Sequence, residues 1–205
     1  MGGEAPRSIA LLFGESADYV WGLRRLFLLS LLVFSSSLII GYSLGRELPG
    51  DPLEQLRRII PNLEEAPPLG LFLFIAVNNL SKSLLWMLLG LLFSLPPILF
   101  TALNGFYIGW AAHAYAEERG VLLTLLTLTP HGVLELPAIL LSSAAGLALG
   151  YQAINRLRGR GGLREELMRA LRLYLHRIAP LLILSALIEV TLTPSLAALA
   201  ERLLR

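Results

Sequence analysis

VLLTLLTLTPHGVLELPAILLSSAAGLALGYQAI, residues 121–154, decides how this chain is read. Apart from the Tyr151 phenol, its only ionisable side chains are His131 and Glu135. An apolar run this long exceeds the roughly 20 residues that cross a bilayer as a helix. A carboxylate at such depth is costly, and the default reading of the group is function. If the stretch after Pro130 is helical, His131 and Glu135 project from one face, one turn apart.

The same character extends along the chain. Of its 205 residues 55% are hydrophobic, with a mean hydropathy of +0.66, above the apolar share of soluble domains. The composition is that of an integral membrane protein, a single domain over residues 1–205 that passes several times through the cell membrane, with the lipid bilayer as its first partner. All 17 basic residues except Lys82 are Arg, mostly in the gaps between apolar runs, and the net charge of +2 gives no reason to expect nucleic acid. The absence of Cys excludes disulfides and thiolate metal ligation. Glu4, Glu15 and Asp18 precede the first apolar run and no small-residue cleavage pattern follows it, so that run reads as a retained anchor.

The expected fold is all-α, a polytopic transmembrane helical bundle of about five spans. Residues 26–44 form the first. Residues 46–68, rich in Glu, Asp and Pro, make a polar extracytoplasmic loop, with one helical stretch near residues 53–60. Residues 69–112 are too long for one crossing at about 1.5 Å per residue. Pro96-Pro97 supplies the break, giving helices near residues 69–95 and 98–115. Residues 130–150 alone amount to about 30 Å of helix. The piece at 121–129 is therefore surplus: a re-entrant segment, an interfacial half-helix, or the outer end of a kinked span, with a break before Pro130. Residues 151–177 form a basic loop containing an amphipathic helix near 163–176, which anionic lipid attracts. Residues 178–199 are the last span. Arg156, Arg158, Arg160, Arg164, Arg169, Arg172 and Arg177 place that basic loop, and with it the N-terminus, in the cytoplasm.

Polar groups at expected membrane depth are Asn78, Asn79, Lys82, Asn104, His131, Glu135 and Glu189. Each should face the bundle interior, because turning it toward lipid costs a few kcal/mol. Imidazole and carboxylate at this spacing can share a Zn ion or another divalent transition metal. The plainer reading has His131 capping a broken helix and Glu135 bonding backbone groups freed by Pro130 and Pro137. Glu189 is either a partner carboxylate to Glu135, a counter-ion to Lys82, or a protonated acid bonded within the bundle. Lys82 either pairs with Glu135 or Glu189 or snorkels to an interface. Gly90, Gly105, Gly109, Gly132, Gly146 and Gly150 are candidate close-packing positions; small-residue faces left uncovered would favour a homodimer.

The ordered set Asn78-Asn79 with Gly90, Asn104-Gly105 with Gly109, Pro130-His131-Gly132-x2-Glu135 with Gly146, and Ile188-Glu189 with Thr193 resembles the stage II sporulation protein M family. It covers about residues 70–195. The resemblance implies a scaffold or localising anchor for cell-envelope partners, as sporulation members serve peptidoglycan-degrading proteins at the engulfing membrane. It also marks Asn79 or Asn78, Asn104, Gly105, His131, Gly132, Glu135 and Glu189 as the functional core.

Three functions stay open from the sequence. One is a non-enzymatic scaffold whose polar network fixes helix registration. Another is a metal-dependent intramembrane hydrolase, with His131, Glu135 and Glu189 as ligands, His131 and Glu135 serving the chemistry, Asn79 or Asn104 orienting substrate, and a metal-bound water as nucleophile. The last is a proton-coupled carrier of a small solute or ion, built on Glu135 and Glu189.

Overall fold

The computed structural model describes residues 17–52, 54, 67–160, 162–196 and 199, and of His131 the backbone alone. Among these residues there is no strand. Helical residues 17–22 lead into α1 (Arg24–Leu44), followed by α2 (Pro68–Leu89), α3 (Leu95–Arg119), α4 (Val121–Leu157), α5 (Leu163–Leu173), a π turn at Tyr174–Ile178, and α6 (Ala179–Thr191). Arg24–Leu44, Pro68–Leu89, Gly132–Leu157 and Leu163–Leu196 are each long and apolar enough to cross a membrane. Side chains such as Leu28, Leu32, Ile39, Leu69, Val77, Leu103 and Leu187 stand exposed around the outside. Apolar surface this extensive suits lipid as its solvent and not water. Of the five spans expected, α3 is the one whose apolarity is diluted, by Pro96, Pro97 and Asn104. It nevertheless runs beside α1, with Gly105 against the Phe34 carbonyl, Gly109 against that of Leu38, and the His113 ring over Gly45.

The break between α2 and α3 falls earlier than the expected one at Pro96-Pro97. α2 ends at Leu89, and the turn at Gly90–Ser94 reverses the chain with Phe93 at φ 57° and Ser94 at φ 69°. Non-glycine residues in this left-handed region cost roughly 1–2 kcal/mol each. Ser94 is held there by its N–H to the Gly90 carbonyl (2.9 Å) and by its hydroxyl to the Leu147 carbonyl (3.1 Å). The two prolines instead occupy the first turn of α3, where backbone N–H groups have no helical acceptor to lose.

α4 is the hub. Over an apolar 18-residue window within its Gly132–Leu157 portion 56% of residues are buried, against 17% in the corresponding windows of α1 and α2 and 22% in that of Leu163–Leu196. Small residues make this possible: the stretch Ser142–Gly150 is buried throughout. Gly146 lies against Gly90 and Met87 of α2 and Pro97 of α3, and Gly150 lies under Ser94. The backbone stays helical from Val121 to Leu157, so Pro130 and Pro137 sit inside the helix and do not end it. Of the forms open for residues 121–129, the one seen is a short apolar extension of the same helix. Each proline leaves one carbonyl, Leu126 and Val133 respectively, without its usual helical N–H. The amphipathic stretch and the last span, expected as separate helices, likewise form one column through the π turn.

Charge separates toward the two ends of the bundle. At one end Arg46 of the polar loop pairs with Glu117 at 3.1 Å, and the Tyr107 hydroxyl donates to the Pro52 carbonyl at 3.0 Å. Most of the helical stretch expected near residues 53–60 lies outside the described residues. At the other end Arg24 and Arg25 open α1, the Arg24 guanidinium lies over the exposed Trp21 ring, and Arg156, Arg158, Arg160 and Arg164 flank the turn between α4 and α5. Tyr19 reaches across this end and donates to Glu166 Oε1 at 2.7 Å. Leu23, Ala170 and Leu173 are buried in the same core cluster, with Tyr19 and Val20 packed against it.

Burial, and after it the bond to Glu166 and that group's negative charge, push the Tyr19 phenol above its ordinary pKa, with Arg169 opposing. The neutral phenol is therefore the form the folded state favours. Its contribution to stability is whole below the ordinary tyrosine pKa of about 10 and is lost as pH rises beyond it. Thermal unfolding of detergent-solubilised protein should show wild type losing more stability than Tyr19→Phe between about pH 9 and 11. Parallel curves would show that Tyr19 carries no such linkage.

Candidate functional site

Of the polar residues expected at membrane depth, three are joined. Asn79 Nδ2 donates to Glu135 Oε1 at 3.0 Å, linking α2 to α4, and Asn78 Nδ2 donates to Asn79 Oδ1 at 3.2 Å. The carboxamide relay thus ends on the carboxylate, and all three side chains are half-buried.

Lys82, Asn104 and Glu189 are not joined to this relay by any hydrogen bond or ion pair among the described residues. Lys82, a turn beyond Asn79, is exposed and forms no ion pair with Glu135 or Glu189 among the described residues. Asn104 on α3 keeps its Nδ2 buried with no acceptor in the described structure. Glu189 is half-buried on α6. Its distance from the relay follows from helix register: Tyr174 already bonds the Leu80 carbonyl, beside Asn79, at 2.6 Å. Glu189 follows fifteen residues later, roughly 22 Å further along its helix. The side chain of His131 lies outside the described residues, so its place relative to Glu135 is not part of this geometry. Among the described residues no three His, Asp or Glu side chains are grouped to hold a metal ion.

The glycines divide. A Cβ on Gly90 would fall on the Gly146 backbone, one on Gly105 on the Phe34 carbonyl, and one on Gly109 on the Leu38 carbonyl. Gly132, expected to pack closely, has nothing within reach of a Cβ in the described structure. Gly90, Gly105, Gly109, Gly146 and Gly150, among the small residues that suggested a homodimer, are covered inside one chain.

The strongest polar convergence involves residues that sequence reasoning passed over. On α4 the adjacent hydroxyls of Ser142 and Ser143 point to different neighbours. Ser142 donates to the Ser83 carbonyl of α2 at 2.8 Å. Ser143 receives the Thr101 hydroxyl of α3 at 2.7 Å and that of Ser30 of α1 at 3.2 Å, and itself reaches the Pro97 carbonyl at 3.3 Å. The Tyr174 hydroxyl, in the π turn, lies 3.3 Å from the Ser83 hydroxyl. Ser30, Ser83, Thr101, Ser142 and Ser143 are all buried. Serine and threonine in an apolar helix usually bond their own i−4 carbonyl, so their sequence carries no mark of a partner elsewhere. The one available signal was the Ser142-Ser143 pair itself, followed by the Ala-Ala-Gly that brings neighbours close.

Chemically, this arrangement is a set of helix-to-helix ties around one central helix, with a single carboxylate engaged by an amide relay. It defines a polytopic, all-helical membrane protein whose polar interior is organised about α4. Residues 30–194 match the family described as Stage II sporulation protein M, and the chain belongs to that family. It is similar to an uncharacterized protein of Methanocaldococcus jannaschii, 30% identical over 175 residues that make up 83% of this chain and 94% of the other. It is also similar to a second uncharacterized protein of the same organism, 28% identical over 188 residues, 85% of this chain and 84% of the other. No solved structure matches the chain significantly.

Proposed function

We propose that this member of the family is a non-enzymatic membrane scaffold or localising anchor, in which the buried polar groups fix helix registration and the ends of the bundle present surfaces to membrane or cell-envelope partners. The observation that carries this reading is where the polar atoms go. The Asn79 amide donates to Glu135, the Ser142 hydroxyl donates to α2, and the Ser143 hydroxyl accepts from α1 and α3. Polar side chains used in this way serve as interhelical glue. The excess of Arg at the end formed by Arg24, Arg25 and the α4–α5 turn supports a cytoplasmic placement of that end in the cell membrane, with the N-terminus inside. A homodimer remains part of the proposal as one form of partner.

The test compares wild type with the double variant His131→Gln, Glu135→Gln, each affinity-tagged and cross-linked in its native membrane, with folding checked by thermal unfolding. Partners identified with wild type are expected to be recovered in equal yield with the folded variant. Recovery abolished without unfolding, or a stoichiometric transition metal in wild type that the variant lacks, would overturn the scaffold reading in favour of chemistry at His131 and Glu135.

A further inference from the structure

At the basic end a groove of about 660 Å³ opens between the Gly90–Ser94 turn and the start of α5. Its walls are of two kinds. Leu91, Leu163 and Leu167 supply apolar surface, while Arg156 and Arg164 supply guanidinium groups, with Glu165 and Gly162 completing the lining. Neither the Arg156 nor the Arg164 guanidinium makes a hydrogen bond or ion pair among the described residues. Glu165 lies against Gly162 and pairs with neither of them. Two cations against one carboxylate leave the groove positive.

We propose that this groove is a binding site for the phosphate of an anionic membrane lipid. Guanidinium groups recognise phosphate oxygens through paired N–H donors, and neither of these two has a protein partner among the described residues. The volume falls within the roughly 300–1,000 Å³ of small-ligand sites. That admits a headgroup with the first carbons of its chains. Depth selects lipid over a soluble anion: Leu157 ends one candidate span, Leu163 begins another, and Leu91 lies just beyond the end of a third. The exposed Trp21, with Arg24 against its ring, stands at the same end, as aromatic and basic residues do where a bilayer meets water. Leucines and guanidiniums side by side offer the two kinds of surface that an acyl chain and its phosphate require. Glu165 opposes the anion, so the site has a built-in negative term. This inference is independent of the scaffold reading, since neither Arg156 nor Arg164 takes part in the buried polar ties.

Native mass spectrometry of the full-length protein in neutral detergent tests it, with phosphatidylglycerol and phosphatidylcholine as probes and inorganic phosphate as competitor. Wild type is expected to retain one phosphatidylglycerol in preference to phosphatidylcholine. Arg156→Gln with Arg164→Gln should weaken that retention by about tenfold or more, the effect of losing charge-assisted bonds. Glu165→Gln should strengthen it, a gain that misfolding cannot produce. Arg24→Gln, at the same end but outside the groove, should leave it unchanged. The proposal is overturned if Arg24→Gln weakens retention as much as the groove variants, if Glu165→Gln weakens it, or if wild type shows no headgroup preference. Displacement of the lipid by millimolar inorganic phosphate would overturn the lipid assignment and make the groove a site for a free anion.

Discussion

Gly90→Val is expected to destabilise the bundle by about 3 kcal/mol or more, at or beyond the upper end of overpacking costs. A Cβ at Gly90 lands on the carbonyl oxygen, carbonyl carbon and Cα of Gly146, so no side chain can rotate away and one helix backbone must move. That movement would also disturb the turn after α2, where the Gly90 carbonyl accepts the Ser94 N–H. Thermal unfolding in detergent measures the loss, and size-exclusion profiles would show any opening of the bundle. Gly132→Ala is the matched control. Its Cβ meets open space, and alanine is favoured over glycine in helices by about 0.5–1 kcal/mol. Its melting temperature should therefore equal or exceed that of wild type.

The second large effect is expected at the relay between α2 and α4. Asn79→Ala removes the donor to the half-buried Glu135 Oε1 and should cost about 1–3 kcal/mol, the range for taking away one partner of a partly desolvated group. Glu135→Gln keeps an oxygen where Asn79 donates, so the cost through this bond should be under about 1 kcal/mol. Asn78 acts one step removed. It donates to the Asn79 oxygen and orients that amide, so Asn78→Ala should fall between these two.

Much of the fold was legible because bilayer thickness and apolar run length constrain each other. Arg24–Leu44 matches the expected first span within two residues at its start, and the polar segment after it begins where the charges do. The α2–α3 break falls earlier than the expected one because Pro96 and Pro97 stand at the second and third positions of α3, where proline costs no hydrogen bond. Pro130 and Pro137 make the same point from inside a helix: neighbouring helices hold α4 together, and a single run of sequence does not reveal neighbours.

The site divides along similar lines. Asn79 and Glu135 were visible because amides and carboxylates are rare at depth, and the structure joins them. Glu189 was visible for the same reason, but its distance from Glu135 is set by how α6 slides along α2, which the Tyr174 bond to Leu80 fixes and no spacing within α6 encodes. Ser30, Thr101 and Ser143 were invisible because a hydroxyl in a helix can satisfy itself locally. Their convergence depends on glycine contacts between α1 and α3 and between α2 and α4, contacts that exist only once the helices are assembled.

The central claim is that the buried polar groups hold helices to one another. A double-mutant cycle on Asn79→Ala and Glu135→Ala, each of which removes one partner of the bond, with unfolding free energies measured in one detergent, tests it most directly. The account predicts that the two substitutions together cost less than the sum of their separate effects, by about 0.6–1.7 kcal/mol, the coupling of an interhelical hydrogen bond in a membrane protein. Strictly additive effects would contradict it, since the pair would then contribute nothing to joining α2 and α4.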